Sequence, residues 1–353
     1  MTQSSMQTST RTLSYCQGLS EGLVQAMERD DRIFVTGIGV DYSSAVFGST
    51  AEAVKRFGPA RIFDAPAMEN ALTGIVIGAA AMGKRPMIIH LRNDFMFLAF
   101  DQMINLAAKW KYMYGQNAGT LPLVVRGVVG RGWGQGATHS QSLHGVLAHF
   151  PGLTVLAPAT PADAKGMMLA AFEAERPTVI IEHRRLYDVT GPVDAAPVAT
   201  LIGKAFVRRP GRDVTIVACS VMLQEAMLAA NDLAARGIEA EVVDVATVRP
   251  LDVETIAQSI RKTGRLIAVD TDWEFCGLTA EIAAIAAERC LQNLKAPVCR
   301  LGFADSPAPV SMPLEDAFYP KAASIARAAL AMCGTSDEGM AFSAHIDDFK
   351  GPY

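Results

Sequence analysis

The chain has 353 residues, half of them hydrophobic and 19% charged, with a formal net charge of −4. That length holds two domains, each with its own core, and the composition excludes a disordered or low-complexity chain. The acidic balance, with a pI near 5.9, excludes a broad nucleic-acid surface.

In chain order, residues 1–12 are polar and hold no apolar core of a signal peptide. Residues 13–27 carry a helical apolar pattern and 32–37 a strand. Residues 71–82 read as a buried helix; the apolar stretch there ends at Gly83, short of the roughly 20 residues a bilayer-crossing helix needs. A strand at 86–91, an amphipathic helix at 100–114 and strands at 121–129 and 153–157 follow. Thr160 suits a helix cap, Pro161 the first helical position and Asp163 the first turn. A short apolar strand at 178–182 closes this half. Strands without polar alternation, interleaved with helices, indicate parallel sheets covered on both faces.

The texture changes between Asp188 and Asp213, where prolines interrupt any long period, and the linker is placed at residues 191–212. Beyond it come strands at 214–218, 240–245, 266–270 and 297–302, and helices at 222–236, 252–261, 279–294 and 320–332. The expected architecture is α/β with two doubly wound domains, residues 1–190 and 213–335, and a polar tail at 336–353 that is loosely held unless it docks on a partner. The six cysteines are scattered, with neither zinc nor disulfide spacing, as expected in a reducing cytoplasm.

Two polar clusters carry the chemistry. Glu69 stands among Ala67, Met68, Ala71 and Leu72, with no cationic neighbour, just after Asp64 and Pro66. By local composition it reads first as a carboxylate in a helix's first turn, stabilised by the helix dipole. The second cluster, Gly136 to Ser142, follows a run with Gly130, Gly132, Gly134 and Gly136 and contains His139. An imidazole on a mobile loop suits proton transfer near neutrality, or caps a turn. His144 and His149, five apart, do not share a helix face, so structural roles are expected. Gln135 breaks the dinucleotide-binding glycine pattern, and no Walker loop, HExxH or CxxC occurs.

The ordered set Asp64–x–Pro66–x–x–Glu69, Gly83–x–Arg85–Pro86, Phe100–Asp101–Gln102, Asn105 to Lys109, Arg126–Gly127, His139–Ser140–Gln141, Pro151–Gly152 and Asp163 to Gly166 resembles the β subunits of the thiamine-diphosphate-dependent 2-oxoacid dehydrogenases. Gly277, Glu281 and Ile282 extend the likeness into the second half, so that it covers roughly residues 12–330. The resemblance implies a pyrimidine-binding transketolase-like domain followed by a transketolase C-terminal-type domain. It gives Glu69 the role of the carboxyl that hydrogen-bonds and activates the cofactor, and His139 that of handling the acyl acceptor at the mouth of the site. Phe95 and Leu91 would lie against the cofactor, Phe95 being equally a core residue. Arg92 either binds a carboxylate or phosphate of an unusual substrate or ends a strand in solvent.

No Gly-Asp-Gly metal-binding segment occurs, so the Mg2+ and the diphosphate of a shared cofactor are expected on a homologous α-type partner, in a complex of two α and two β chains. A lipoyl-bearing acyltransferase and a small 2-oxoacid complete the implied partners, with neither nucleic acid nor membrane among them. A split transketolase-like enzyme working on a carbonyl acceptor, and a non-catalytic stabilising subunit, stand as the alternatives. Two departures from the family pattern bear on the substrate: the charged run His90 to Asp94, and Asp270–Thr271–Asp272 where many relatives carry a Glu pair.

Overall fold

The computed structural model describes residues 10–42, 44–130 and 134–344; Gly132 of the glycine-rich run and residues 345–353 of the tail lie outside them. The first half runs β1 (Thr10–Ser14), α1 (Tyr15–Arg29), β2 (Ile33–Gly37), α2 (Ala51–Phe57), β3 (Ile62–Asp64), α3 (Glu69–Ala81) and β4 (Arg85–His90). A 3-10 helix (Asn93–Ala99), a π-helix (Asp101–Ala107) and α4 (Trp110–Tyr114) lead to β5 (Val124–Val129), α5 (His144–Ala148), β6 (Thr154–Leu156), α6 (Pro161–Glu173), β7 (Thr178–His183) and β8 (Thr190–Asp194). The second half holds β9 (Phe206–Arg209), β10 (Val214–Ala218), α7 (Met222–Ala234), β11 (Ala240–Asp244) and β12 (Thr247–Arg249). It continues through α8 (Val253–Thr263), β13 (Leu266–Trp273), α9 (Leu278–Cys290), β14 (Cys299–Phe303), α10 (Met312–Phe318) and α11 (Ala322–Met332).

The larger sheet has the order β12-β6-β7-β5-β4-β2-β3 and is parallel except for the edge strand β12. The smaller, β14-β13-β10-β11-β9, is parallel except for β9. Every residue of β5 and β7 is buried, the apolar ones as strands covered on both faces require and the charged Arg126 and Glu182 as partners of one another. One hydrophobic core joins α1 and α6 to α7 and α11; the other joins α3 and the π-helix to α8 and α9. Each core therefore spans both sheets. Among the described residues no helix is long and apolar enough to cross a membrane.

Local signals set the helix starts. Thr160 accepts from Asp163 N at 3.1 Å, with Pro161 opening α6. Ser14 and Gln17 cap α1 reciprocally, at 3.1 and 2.8 Å. These two helices lie so close that a Cβ on Gly18 would stand 2.4 Å from the Pro161 carbonyl oxygen.

Four expectations change. The segment read as linker is structured: β8 pairs antiparallel with β1, β9 joins the smaller sheet, and Thr200 N bonds the Gly166 carbonyl at 3.0 Å. The helix expected over 100–114 is split into the π-helix and the short α4. The helix expected to be buried, α3, buries Val76, Ile77 and Ala80 but leaves Ile75 62% exposed, with Met82 just beyond it 86% exposed. Its uniformly apolar sequence hides this second face, which a single chain does not cover. The start of the tail is docked, Ser343 bonding Asp232 through both N (2.8 Å) and Oγ (2.6 Å).

The close approach of α1 and α6 gives a first prediction. Gly18→Ala gains about 1 kcal/mol of helix propensity but drives a methyl into a backbone oxygen, an overpacking cost of about 1–3 kcal/mol. Since backbone cannot swing aside, urea denaturation should show a net loss of stability rather than a gain.

Candidate active site

The residues singled out above hang from the carboxyl ends of β3, β4 and β5. Strand order reverses at β2, with β3 on one side and β4 on the other, and such a switch point opens a crevice for ligands. Leu91, directly after β4, lies in this crevice: its Cδ1 would be 3.4 Å from a Cβ on Gly39, beyond the end of β2. Asp64, ending β3, accepts from Gly39 N at 2.5 Å and fixes that loop.

Glu69 opens α3 and is partly exposed, and among the described residues its carboxylate makes neither a hydrogen bond nor an ion pair. Its neighbour Asn70 donates to the Leu98 carbonyl at 3.2 Å, tying the start of α3 to the 3-10 helix that carries Phe95. Phe95, 39% exposed, meets the His139 ring edge-to-face at 5.4 Å. The geometry therefore joins Phe95 to the second polar cluster; among the described residues Glu69 shares no hydrogen bond or ion pair with His139. His139 Nδ1 shares a hydrogen bond with Thr138 Oγ1 at 2.9 Å, which leaves Nε2 for proton exchange. Burial pushes the pKa of His90, inside β4, down to about 4, so this imidazole stays neutral beneath the site.

The charged run after β4 turns out to organise the site. Arg92 Nε donates to Gln135 Oε1 at 2.9 Å. Asn93, fully buried, donates to the Gln141 carbonyl at 2.6 Å and accepts from Leu143 N at 3.2 Å. Asp94 Oδ1 accepts from Gln141 N and Nε2 at 3.2 and 3.0 Å. Three consecutive residues thus grip the loop on both sides of His139. Gly127 makes room for them, because a Cβ there would come 2.6 Å from Met96 Sδ and 2.9 Å from Asn93 Cβ.

From the other side the second domain holds the same loop. His144 Nε2 donates to Asp270 Oδ2 at 2.7 Å, both groups only 1% exposed, with Cys219 Sγ completing a cluster whose heteroatoms lie within 4.8 Å of one another. Ser142 and Thr271 hydroxyls share a bond at 3.3 Å, and a Cβ on Gly145 would stand 2.4 Å from Asp272 Oδ2. Burial works against the His144 imidazolium, but Asp270, helped by Cys219, outweighs it and raises its pKa well above the ordinary value. Burial likewise lifts Asp272 to about 6, against the opposing charge of His144. Sequence spacing could not reveal this cluster, whose members are 126 residues apart for His144 and Asp270. The only sequence signal was the departure at Asp270–Thr271–Asp272.

A parallel α/β chain of two domains, with an unpaired carboxylate opening the helix beside the switch point and a histidine loop clamped between domains, belongs to the transketolase-like class. Residues 11–190 match the transketolase pyrimidine-binding domain and 203–325 the transketolase C-terminal domain. The chain is 39% identical over 329 residues to the β subunit of acetoin:2,6-dichlorophenolindophenol oxidoreductase of Cupriavidus necator, covering 90% of this chain and 97% of that one. It is 39% identical over 308 residues to the 2-oxoisovalerate dehydrogenase β subunit of Bacillus subtilis, covering 87% and 94%. A solved structure described as a split-gene transketolase, inactive β4 tetramer, superposes with a TM-score of 0.74 at 25% identity over 91% of this chain and 98% of that one. The chain belongs to the family of β subunits of the thiamine-diphosphate-dependent 2-oxoacid dehydrogenases.

The interdomain pair generates a pH prediction. A folded-state pKa raised above the unfolded value of about 6.5 contributes stability that is complete below that value and is lost as pH rises through the folded pKa. Asp272 acts with the same sign, but its contribution is spent by about pH 6. Urea midpoints should therefore fall as pH rises above about 7, and His144→Gln should flatten that slope. Asp270→Asn, which strands a buried imidazolium, should cost about 3–5 kcal/mol at pH 6.

Proposed function

We propose that this chain is the β half of an enzyme that decarboxylates a 2-oxoacid and passes the acyl group to a lipoyl arm on an acyltransferase. Its α-type partner holds the diphosphate of the cofactor and the Mg2+. The observation that supports this reading most directly is the pairing of His139 at the crevice with Phe95, on a 3-10 helix tied to the start of α3, where the Glu69 carboxylate is unpaired among the described residues. When bound, thiamine diphosphate supplies the carbon nucleophile that takes the 2-oxoacid and accommodates the electron pair released with CO2. A carboxylate that is partly shielded and has no partner among the described residues fits the pyrimidine ring nitrogen, to which Glu69 would hold a hydrogen bond. Leu91 and Phe95 supply the apolar faces that exclude water from the cofactor. His139, through Nε2, delivers a proton to the lipoyl sulfur that leaves as the disulfide is reduced and the acyl carbon oxidised.

The exposed apolar face of α3, with Ile75 and Met82, and the neighbouring Leu98, 57% exposed, support a partner-covered surface there. All six cysteines are free, consistent with assembly in a reducing cytoplasm. The split-transketolase reading is favoured by one observation, the charged segment Arg92 to Asp94 at the site's edge.

The test is 2-oxoacid-dependent reduction of an artificial electron acceptor by the chain co-expressed with its α-type partner, with thiamine diphosphate and Mg2+. Activity is expected, with Glu69→Gln lowering it by about 10²–10⁴-fold. Full activity in Glu69→Gln would make this a stabilising subunit only. Silence from a folded, cofactor-binding complex, with transfer to an aldehyde acceptor instead, would move the function to carbonyl ligation.

A further inference from the structure

Arg92 is a cation at this crevice without a carboxylate of its own. Its Nε donates to the Gln135 side-chain oxygen at 2.9 Å, its Nη1 to the Leu91 carbonyl at 2.8 Å, and its guanidinium lies 5.3 Å from the centroid of the Phe47 ring. These partners are an amide, a carbonyl and an aromatic face, all neutral. Among the described residues no Asp or Glu stands within ion-pair distance of it, and its Nη2 makes no hydrogen bond. Asp94 supports its charge from beyond ion-pair distance, with Oδ1 taken by Gln141 and the buried Oδ2 making no hydrogen bond among the described residues. Arg184 lies over the same Phe47 ring at 5.0 Å and is paired with Asp188 at 3.9 Å.

A guanidinium stays charged even when partly buried, and burial here works against that charge. Such a group gains most from an oxyanion, which can take two N–H bonds in one planar fork. Its place fits a substrate rather than the distant surface. A Cβ on Gly130 would stand 3.0 Å from Arg92 Nε and 2.4 Å from the His139 carbonyl oxygen, so Arg92 and the His139 loop flank a single glycine.

We infer that Arg92 binds a second, non-reacting anionic group on the 2-oxoacid, a carboxylate or a phosphate-type oxyanion, so that the favoured substrate is a dianion. This rests on the 2-oxoacid decarboxylation proposed above. The 1-carboxylate cannot serve as the distinguishing group, because every 2-oxoacid has it and it departs as CO2. A neutral side chain in the same place would leave the guanidinium desolvated without a directly paired anion, which is how a site rejects the wrong ligand.

The experiment compares matched pairs on the complex reconstituted with its α-type partner: 2-oxoglutarate against 2-oxopentanoate, and phosphonopyruvate against pyruvate. At least one dianion should exceed its monoanionic match by about 100-fold or more in kcat/KM, and the pair that does so tells carboxylate from phosphate. Arg92→Gln should shrink that ratio by about 30-fold or more, chiefly through KM, and Arg92→Lys should recover part of it. Assembly with the partner and the thermal midpoint check that each variant is folded. Preference for the monoanions in the unaltered complex would overturn the inference. So would an Arg92→Gln effect equal on both members of a pair, or one confined to thiamine diphosphate affinity, which would make the cofactor's diphosphate the anion. If no 2-oxoacid is decarboxylated, the function proposed above fails, and calorimetric binding of the same pairs to the resting complex still decides whether Arg92 reads a second charge.

Discussion

A fully buried imidazole and a fully buried carboxylate meet across the boundary between the two domains, His144 from the first and Asp270 from the second. Neither group tolerates that environment alone, because a lone buried charge costs several kcal/mol. Each domain therefore completes the other's electrostatics. His144 lies five residues beyond His139, so the pair that joins the domains also fixes the downstream end of the loop on which His139 is presented. Asn93 and Asp94 fix it from the sheet side. The position of one half-buried histidine thus rests on buried polar contacts from two separate parts of the chain.

The same device recurs away from the crevice. Arg208 bridges Asp163 of α6 and Asp244 of β11, and burial together with the nearby Asp163 raises the Asp244 pKa to about 7 despite the arginine. Inside the first domain, Arg126 on β5 donates to both oxygens of Glu182 on β7, at 2.7 and 3.0 Å, and Tyr187 donates to the same carboxylate at 3.0 Å. Lys165, 3% exposed, is satisfied by Glu21 and by the carbonyls of Asp194, Ala195 and Ala196. The segment after β7 is thereby bound to α6 rather than left as a tether. Such contacts are costly to form and costlier to break singly, so those that cross between the domains, at Arg208 and at His144–Asp270, favour one relative arrangement of the two. Both hydrophobic cores, which run from one sheet to the other, supply the bulk of the cohesion.

Against this closed interior stands an unfinished surface. One side of α3 and the adjoining 3-10 helix expose large apolar side chains, and the carboxylate that opens α3 has no hydrogen-bond or ion-pair partner among the described residues. A surface of that kind beside a reactive crevice suits a subunit whose site is completed by another polypeptide. The relatives of this chain are themselves β subunits, which implies an α-type partner.

The sequence by itself determined the fold class, the longer strands and helices, the family, and the residues Glu69, Leu91, Arg92, Phe95 and His139 as the points to examine. It could do so because apolar runs, caps such as Thr160 and Pro161, and short ordered motifs are local properties of the chain. Only the tertiary structure decided what surrounds those residues. That α3 keeps an exposed face, that part of the segment read as linker is strand, that Arg92 has no ion pair among the described residues and that His144 finds Asp270 all depend on side chains distant in sequence. Periodicity records which face of an element is apolar; it does not record what covers that face, nor which charge from another domain arrives to pair with a buried one.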